Sequence, residues 1–279
     1  MPFRNLAVLA ACAACASAQN LKLLEWTEKQ RAKHTLAVQD WRPVSNAVVP
    51  VTRVPRSKFP SVDVHAHISR ATDTAAIGRV LKVMDDANVR TVVHLTGGFG
   101  QRLKDTIESL RTHGKGRFIT CTQIDWSRID SPTFSTEAVR GLEEAHHAGA
   151  RCLKITEVLG LVVKDSSGRF VAVNDPRLDA IWAKAGELKM PVMMHIADPI
   201  AFFRPWDEKN EAYSALAQHP DWWFYGEDHE GRARFRHEEL MRQRDDVVAR
   251  HPKTQFVALH YGSLSHDLAA VGRLLDRFP

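Results

Sequence analysis

The sequence predicts an α/β protein of the TIM-barrel type, with six of the eight βα units present. From residue 61 onward, short apolar runs alternate with helical patterns. Several of these runs are almost continuously apolar, which is typical of parallel strands covered on both faces. Polar residues follow the carboxyl ends of several runs. In a barrel those ends meet at one mouth, whereas in an open sheet they would be spread along an edge, so the barrel is favoured.

The alternation of elements is strict over residues 62–260. The predicted strands are Val62–Ile68, Arg90–Leu95, Arg117–Gln123, Arg151–Thr156, Pro191–Ile196 and Gln255–His260. The predicted helices between them are Thr74–Ala87, Arg102–His113, Ser135–Ala148, Pro176–Leu188 and Arg234–Arg250. Such alternation indicates a parallel sheet.

The N-terminal residues differ in composition from the rest. Residues 1–18 combine Arg4, an apolar run and the small-residue sequence Ala16-Ser17-Ala18, which predicts a secretory signal peptide and a periplasmic or secreted protein. Lipid attachment at Cys12 is the alternative, but the apolar stretch ahead of it is short. Residues 19–58 are predicted as an amphipathic helix, near Leu23–Gln39, and an extended arm interrupted by prolines. Residues 59–279 form the predicted incomplete barrel domain.

Composition and cysteine usage exclude several classes of function. The net charge of +5 is spread along the chain, so we expect no nucleic-acid partner. The glycine-rich loop at Thr96–Gly100 lacks a nucleotide-binding spacing. We expect no membrane association once the signal is removed, and a homo-oligomer is compatible with the sequence. Cys121 and Cys152 lie in separate apolar runs and are expected to be buried thiols rather than a disulfide.

The stretch SVDVHAHI (residues 61–68) carries the first candidate site. On a strand, Asp63, His65 and His67 share one face. Two imidazoles at this spacing can reach one divalent cation. A pair of hydrogen-bonded histidines near a strand end is the alternative that the spacing alone leaves open.

Four segments in order, DVHAH, ARCLKI, PVMMHIADP and FVALHYG, resemble the amidohydrolase superfamily. The branch they are similar to also contains aminocarboxymuconate-semialdehyde decarboxylase. The resemblance runs from about Phe59 to the last residue. It implies a divalent metal, with zinc the first choice and manganese or iron as alternatives, and a small-molecule substrate.

The resemblance also implies roles for single residues. His65, His67 and His195 match the metal ligands. His260 matches a histidine that binds a second metal or acts as an acid or base. Lys154 matches a strand-four lysine that is carboxylated in some members, and a lysine that balances charge or binds a substrate carboxylate is the alternative. We expect Asp63 to orient a neighbouring group through a hydrogen bond.

The sequence departs from the family pattern near its C-terminus. The family completes its site with an aspartate at the end of strand eight, and no counterpart is found before Pro279. Asp267 is expected to lie in a helix and is no substitute. We therefore expect a truncated barrel that lacks two βα units.

The segment from Asp198 to about Arg234 is long and rich in aromatic residues. Long loops are usually functional, so it is predicted to form a lid whose Phe203 and Trp206 bind a cyclic or aromatic substrate. The alternative is that these rings only pack the loop onto the protein.

Three functions are compatible with these observations. The first is a metal-dependent hydrolase that activates water to cleave the C–N or C–O bond of an amide, lactone or ester. The second is a metal-dependent decarboxylase on the same scaffold. The third is a non-catalytic metal binder, which the missing carboxylate keeps open.

Overall fold

The computed structural model describes residues 20–43 and 52–279, which form two compact units. One unit contains the described residues up to 43 together with Asp198–His237. The other contains residues 52–197 and 238–279. The predicted signal peptide, residues 1–18, lies outside the described residues. Among the described residues, no helix is both long and apolar enough to cross a bilayer.

The larger unit is built on six parallel strands paired in chain order, β1 to β6. The strands are β1 (Ser61–Ala66), β2 (Val89–His94), β3 (Phe118–Thr122), β4 (Cys152–Ile155), β5 (Val192–Met194) and β6 (Phe256–Ala258). The helices of the described chain are α1 (20–33), α2 (Thr74–Ala87), α3 (Gly100–His113), α4 (Phe134–Ala148), α5 (Asp179–Glu187), α6 (Tyr213–Gln218), α7 (His237–Arg250) and α8 (Leu268–Arg277). The predicted parallel α/β fold is confirmed; five strands are shorter than predicted, and β2 has the predicted length but begins one residue earlier.

Helix α2 shows how the local sequence sets the bounds of an element. The Asp73 carboxylate accepts hydrogen bonds from the backbone N–H groups of Ala75 and Ala76, which caps the helix N-terminus. Asn88 ends the helix in the left-handed conformation that asparagine tolerates. Ile77, Leu81 and Met84 recur on one face and are buried against the sheet. These signals are local, so the helix was predicted with the observed ends.

The sheet is curled into part of a barrel. In a flat sheet, strands about 4.8 Å apart would place the first and sixth strands about 24 Å apart. Instead the ring centroids of His65, on β1, and His260, two residues after the end of β6, are 4.7 Å apart. Curling therefore brings the carboxyl ends of the two outermost described strands together, as the barrel prediction requires.

The curled sheet has an inner and an outer apolar layer. Val92 packs outward against Ile77 and Leu81 of α2, whereas its neighbour Val93 points to an inner cluster. This alternation is the period of two expected of a strand buried on both faces. The inner cluster consists of Val93, Leu95, Cys121, Cys152, Met193 and Leu259.

The prediction that Cys121 and Cys152 are free thiols is wrong, because the structure joins them in a disulfide. They are directly paired in the register of β3 and β4, with their Cα atoms 4.4 Å apart. Both side chains point into the inner cluster. The sequence shows that each cysteine is in an apolar run, but it does not show the register that brings the two together.

The smaller unit combines α1 with the aromatic segment. Residues 20–33 are helical and a 3₁₀ turn follows at Val38–Asp40, so the predicted single helix over 23–39 is wrong at both ends. The guanidinium of Arg31 donates hydrogen bonds to the carbonyls of Ala217 and Gln218 at the end of α6. These long-range contacts stabilise the unit, and a local helical pattern does not reveal them.

Candidate active site

Four histidines from separate parts of the chain meet at one end of the curled sheet. His65 is on β1 and His67 follows it, while His195 follows β5 and His260 follows β6. The ring centroids of His65 and His67 are 5.2 Å apart, and His260 is 4.7 Å from His65 and 4.4 Å from His195. The structure therefore brings together the three predicted ligands and the predicted acid or base.

The His65–His67 pair has a spacing that suits one metal ion. Their Nε2 atoms are 3.1 Å apart. Two nitrogens bound to one tetrahedral zinc at about 2.05 Å would be separated by about 3.3 Å. His65 lies where the pairing of β1 with β2 is irregular, between Asp63 and Ala66. Such irregularities redirect side chains at active sites.

Asp63 acts on the backbone rather than on a ring. Its Oδ1 accepts a hydrogen bond from the backbone N–H of His65, 2.9 Å away. The carboxylate therefore holds the strand that presents His65 and not the imidazole itself, and the orienting role of Asp63 stays a prediction.

Burial and neighbouring charge keep the pair of imidazoles neutral. Burial, and then the Lys154 ammonium and the other histidines, lower the pKa of His65 to about 4. Burial and Lys154 also lower the pKa of His67. Neutral imidazole is the form that binds metal, so at neutral pH the protonation state suits a ligand.

Glu157 is a site residue that sequence reasoning missed. Its Oε2 is 3.3 Å from Nδ1 of His195. This hydrogen bond with His195 is the main reason why the pKa of Glu157 is lowered to about 2. A carboxylate on one imidazole nitrogen orients the ring and raises the basicity of the other nitrogen, a common arrangement around bound metals. The available signal was a glutamate three residues after Lys154, beyond the end of β4.

His94, at the end of β2, supports the loop that carries His67. It is 1% exposed, and its Nδ1 accepts a hydrogen bond of 3.2 Å from the backbone N–H of Ile68. Burial and the nearby His67 lower the pKa of His94 to about 4, although its hydrogen bond with the Ala66 backbone acts in the opposite direction. His94 therefore contacts the backbone on both sides of His67.

Lys154 is a buried lysine on the inner face of β4. The residue is 2% exposed, and its Nζ has no hydrogen-bond partner among the described residues. Burial lowers the pKa of its ammonium to about 8, while the charge of Glu157 acts in the opposite direction. Burying an ammonium without a partner is unfavourable, so this position suits an anionic group of a ligand.

The donor set suits a divalent metal, although the side chains are not already arranged as ligands. Within residues 20–43 and 52–279, no three side chains of the His, Cys, Asp and Glu types form a group that could hold a metal as they stand. The chemistry nevertheless fits, because neutral imidazoles are preferred zinc ligands and one of them is held by a carboxylate. The 3.1 Å spacing of the His65 and His67 nitrogens agrees with this.

The two predicted substrate-binding residues belong to the smaller unit. Trp206 is 4% exposed and stacks on His34, with ring centroids 4.0 Å apart. Phe203 is 9% exposed, and its ring centroid is 5.4 Å from that of Phe224. Both rings help to pack their own unit, and their role in substrate binding stays a prediction.

Part of this chain is similar to two solved structures of 2,6-dihydroxybenzoate decarboxylase, one complexed with 2,6-dihydroxybenzoate and one from Rhizobium. Each is 14% identical over 71% of this chain, with TM-scores of 0.43 and 0.44. An amidohydrolase from Mycobacterium avium subsp. paratuberculosis K-10 is 16% identical over 72% of this chain, with a TM-score of 0.39. The alignments cover 66%, 65% and 54% of those chains, so this chain spans less than two thirds of their length. Scores this low carry no inference about function.

Comparison with curated protein sequences gave no match. The family assignment depends instead on a family-wide comparison. The amidohydrolase family model matches residues 62–279, from the first residues of β1 to the last residue. This range contains all four clustered histidines, Lys154 and Glu157. The chain belongs to the amidohydrolase family.

Proposed function

We propose that this protein is a metal-dependent hydrolase that cleaves the C–N or C–O bond of a small amide, lactone or ester. The observation that carries the proposal is the histidine cluster at the carboxyl ends of the strands. In it the His65 and His67 nitrogens are 3.1 Å apart, and His195 is held by Glu157. Histidines that served only to pack the protein would need neither a carboxylate that fixes the ring of His195 nor a neighbouring pair of neutral imidazoles.

His65, His67 and His195 are the residues that would hold the metal. When bound, a divalent ion supplies a Lewis acid that polarises a carbonyl and lowers the pKa of water toward neutrality. Glu157 holds the ring of His195 through Nδ1, and His94 and Asp63 hold the backbone around His65 and His67. The protein thus fixes its donors through a layer of hydrogen bonds.

His260 is the proposed proton carrier. Its ring is within 4.7 Å of His65 and 4.4 Å of His195, measured between centroids, so it lies beside the reacting centre. A ring nitrogen of His260 takes a proton from the attacking water and gives it to the amine nitrogen or alkoxide oxygen as the C–N or C–O bond breaks. Such proton transfer typically contributes a rate factor of about 10² to 10⁴.

Lys154 is proposed to bind an anionic oxygen of the substrate. Its buried ammonium has no hydrogen-bond partner in the part of the chain that the structure describes. A carboxylate-bearing substrate would supply one. Carboxylation of Lys154 itself is the alternative from the sequence, and intact-mass measurement at neutral pH distinguishes the two.

The test is metal content and turnover of purified protein. Wild type is expected to retain one divalent metal or more and to hydrolyse members of a panel of lactones, amides and aryl esters. His65→Ala and His195→Ala are expected to lose the metal. His260→Ala is expected to keep it and to turn over about 10² to 10⁴ times more slowly. His147→Ala is the matched control, since His147 is exposed on α4.

Each alternative has its own outcome in this experiment. Incorporation of ¹⁸O from labelled water into the product supports hydrolysis. Release of carbon dioxide without such incorporation would instead identify a decarboxylase. Metal bound at His65 and His195 with no turnover on either class of substrate would identify a metal binder. Equal metal content in wild type and His195→Ala would contradict the proposed site.

We also infer an oxidising compartment, periplasmic or extracellular. Disulfides persist in such compartments and are rare in the cytosol, and the bond between Cys121 and Cys152 supports the inference. The mass of peptides containing Cys121 and Cys152, digested without reductant from protein isolated in its native compartment, tests it. Free thiols at both positions would contradict it.

A further inference from the structure

The residues after β6 adopt an unusual backbone conformation. His260, Tyr261, Gly262 and Ser263 have φ values of 55°, 55°, 63° and 61°, which are all left-handed. For residues other than glycine this conformation is sterically unfavourable, and it normally occurs at single positions. A run of four requires contacts from elsewhere in the fold to hold it, and such strain is common at functional sites.

A buried arginine on α7 supplies one of those contacts. Arg244 is 3% exposed, and its Nη1 donates a hydrogen bond to the carbonyl of Gly262. Its position is fixed from the other side by Asp245, whose Oδ1 is 2.7 Å from Nη2. The guanidinium therefore links a rigid helix to the third residue of the left-handed turn.

The shape of the turn matches the position of this guanidinium. A Cβ atom at Gly262 would lie 2.8 Å from Nη1 of Arg244 and 3.0 Å from Cδ2 of Leu274. Glycine suits this position for two reasons: it adopts a φ of 63° without the steric cost of a side chain, and it leaves room for the close approach of Arg244. A side chain at this position would require the guanidinium of Arg244 or the side chain of Leu274 to shift.

A second contact ties the turn to the strand end that carries His195. The hydroxyl of Ser263 donates a hydrogen bond of 2.5 Å to the carbonyl of Ile196, the residue after His195. The turn is thus held at Gly262 by α7 and at Ser263 by the segment after β5. His260, at the start of the turn, has its ring centroid 4.4 Å from that of His195.

We propose that Arg244 is a positioning residue that holds the left-handed turn and thereby places His260 at the mouth of the barrel. The geometric part of this proposal depends on the backbone contacts alone. Its consequence for turnover rests on the proposed hydrolase function, in which His260 carries a proton.

The first test is independent of activity. In metal-free protein labelled with ¹³C in its histidine rings, the His260 signal is assigned from the spectrum of His260→Gln. In Arg244→Ala the His260 signal is expected to shift or broaden, while the signals of His146 and His147 on α4 stay in place. Arg242→Ala is the matched control, because Arg242 is exposed on the same helix.

The second test uses turnover on whichever panel substrate the wild type accepts. Arg244→Ala is expected to lower kcat about 10- to 100-fold, with KM changed less than threefold, since a displaced catalytic group costs rate rather than binding. Added guanidinium ion at millimolar concentration is expected to restore part of kcat and the His260 signal. A merely structural loss would not be rescued in this way.

Two further variants keep the proposal falsifiable if Arg244→Ala does not fold. Arg244→Lys keeps the buried charge but not the planar group. Gly262→Ala keeps Arg244 and places a methyl group in the space between its guanidinium and the turn. Both are expected to displace the His260 signal. An unchanged His260 signal in any folded variant of Arg244 would overturn the proposal. A displaced signal in a protein that hydrolyses nothing would leave the positioning role intact and contradict only the proposed function.

Discussion

At the scale of single residues, the site depends on hydrogen bonds that hold the ring of His195 and the backbone around His65 and His67. His65 is held through its backbone by Asp63, His195 through its ring by Glu157, and the segment after His67 by His94. The spacing of residues predicted the pair of His65 and His67, and the family resemblance implied His195. Asp63 was expected to orient a neighbouring group that was not specified, and the contacts of Glu157 and His94 were not predicted. The donors themselves could be predicted, whereas their partners required the fold.

Glu157 provides the most direct test at this scale. Replacing it by alanine removes the carboxylate that orients His195, so the affinity for zinc is expected to fall about 10- to 100-fold. Glu157→Gln keeps an oxygen that accepts a hydrogen bond and should lose less. Zinc affinity is measured by competition with a chromophoric chelator.

The control for Glu157 is Glu144→Ala, an exposed carboxylate on α4. Its zinc affinity should match that of wild type. If Glu157→Ala binds zinc as tightly as this control, the contact with His195 has no role in metal binding.

At the scale of elements, helices were predicted more accurately than strands. The signals that end α2 are all in its own sequence, Asp73 at one end and Asn88 at the other. Strand ends depend instead on where a neighbour stops pairing. His195 and His260 were therefore predicted on strands but lie just beyond β5 and β6. The left-handed turn at His260 could not be predicted, because it depends on Arg244 in another element.

Two glycines within helices differ in the space around them: one could be replaced by alanine without a clash, and the other could not. A Cβ added at Gly78 in α2 would meet nothing within 4 Å, whereas one at Gly186 in α5 would lie 2.5 Å from Oγ1 of Thr254. Gly78→Ala is expected to raise the free energy of unfolding by about 0.5–1 kcal/mol, since alanine is the better helix former. Gly186→Ala is expected to lower it by about 1–3 kcal/mol through overpacking.

Urea denaturation of the two variants measures both effects. Thr254 cannot move away easily, because its hydroxyl donates a hydrogen bond of 2.9 Å to the carbonyl of Trp182. Equal stability changes in the two variants would mean that the helix of residue 186 can shift away from Thr254.

Asp179 joins the start of α5 to the end of α7. Its Oδ1 is 2.6 Å from Nη2 of Arg250 and 3.0 Å from Nε2 of His251. Burial raises the pKa of Asp179, but the hydrogen bonds from Arg250 and His251 outweigh it, and the net shift is downward from 3.8. The ionised carboxylate is therefore favoured by folding.

The sign of this shift fixes the pH at which the stabilisation is lost. It is fully present above the unfolded pKa near 3.8 and disappears as the pH falls through the lower folded value. Asp179→Asn is expected to lower the free energy of unfolding by roughly 0.5–1 kcal/mol at pH 7, a figure reduced for solvent screening. The difference from wild type should shrink as the pH falls below 3.8, and exposed Asp276→Asn on α8 should show no difference at any pH. A difference that stays constant as the pH falls would assign the effect to packing.

At the scale of the whole molecule, curling of the sheet is what converts scattered histidines into a site. The alternation of strands and helices was enough to predict the parallel order, and the polar strand ends were enough to favour a barrel over an open sheet. The disulfide between β3 and β4 was not predicted, because strand register is a property of the assembled sheet. The packing of α1 with the aromatic segment was also missed, because it depends on hydrogen bonds between residues that are far apart in the sequence.

Strand β1 forms one edge of the described sheet, since it pairs only with β2 among the described strands. Two of its side chains, Val62 and Val64, are 55% and 52% exposed. An edge strand with exposed β-branched residues and unpaired backbone groups can pair with another chain, and natural proteins often prevent this with a lysine on the edge. We therefore expect the purified chain to self-associate through β1 and expect Val62→Lys to reduce that association.

Sedimentation velocity over a range of concentrations tests this expectation. Val83→Lys is the matched control, because Val83 is 65% exposed but lies on α2 rather than on a strand. A general increase in charge would affect both variants equally, whereas blocking the edge affects only Val62→Lys. If both lysine variants associate as the wild type does, β1 is not the contact. If both are equally monomeric, net charge rather than the strand edge controls association.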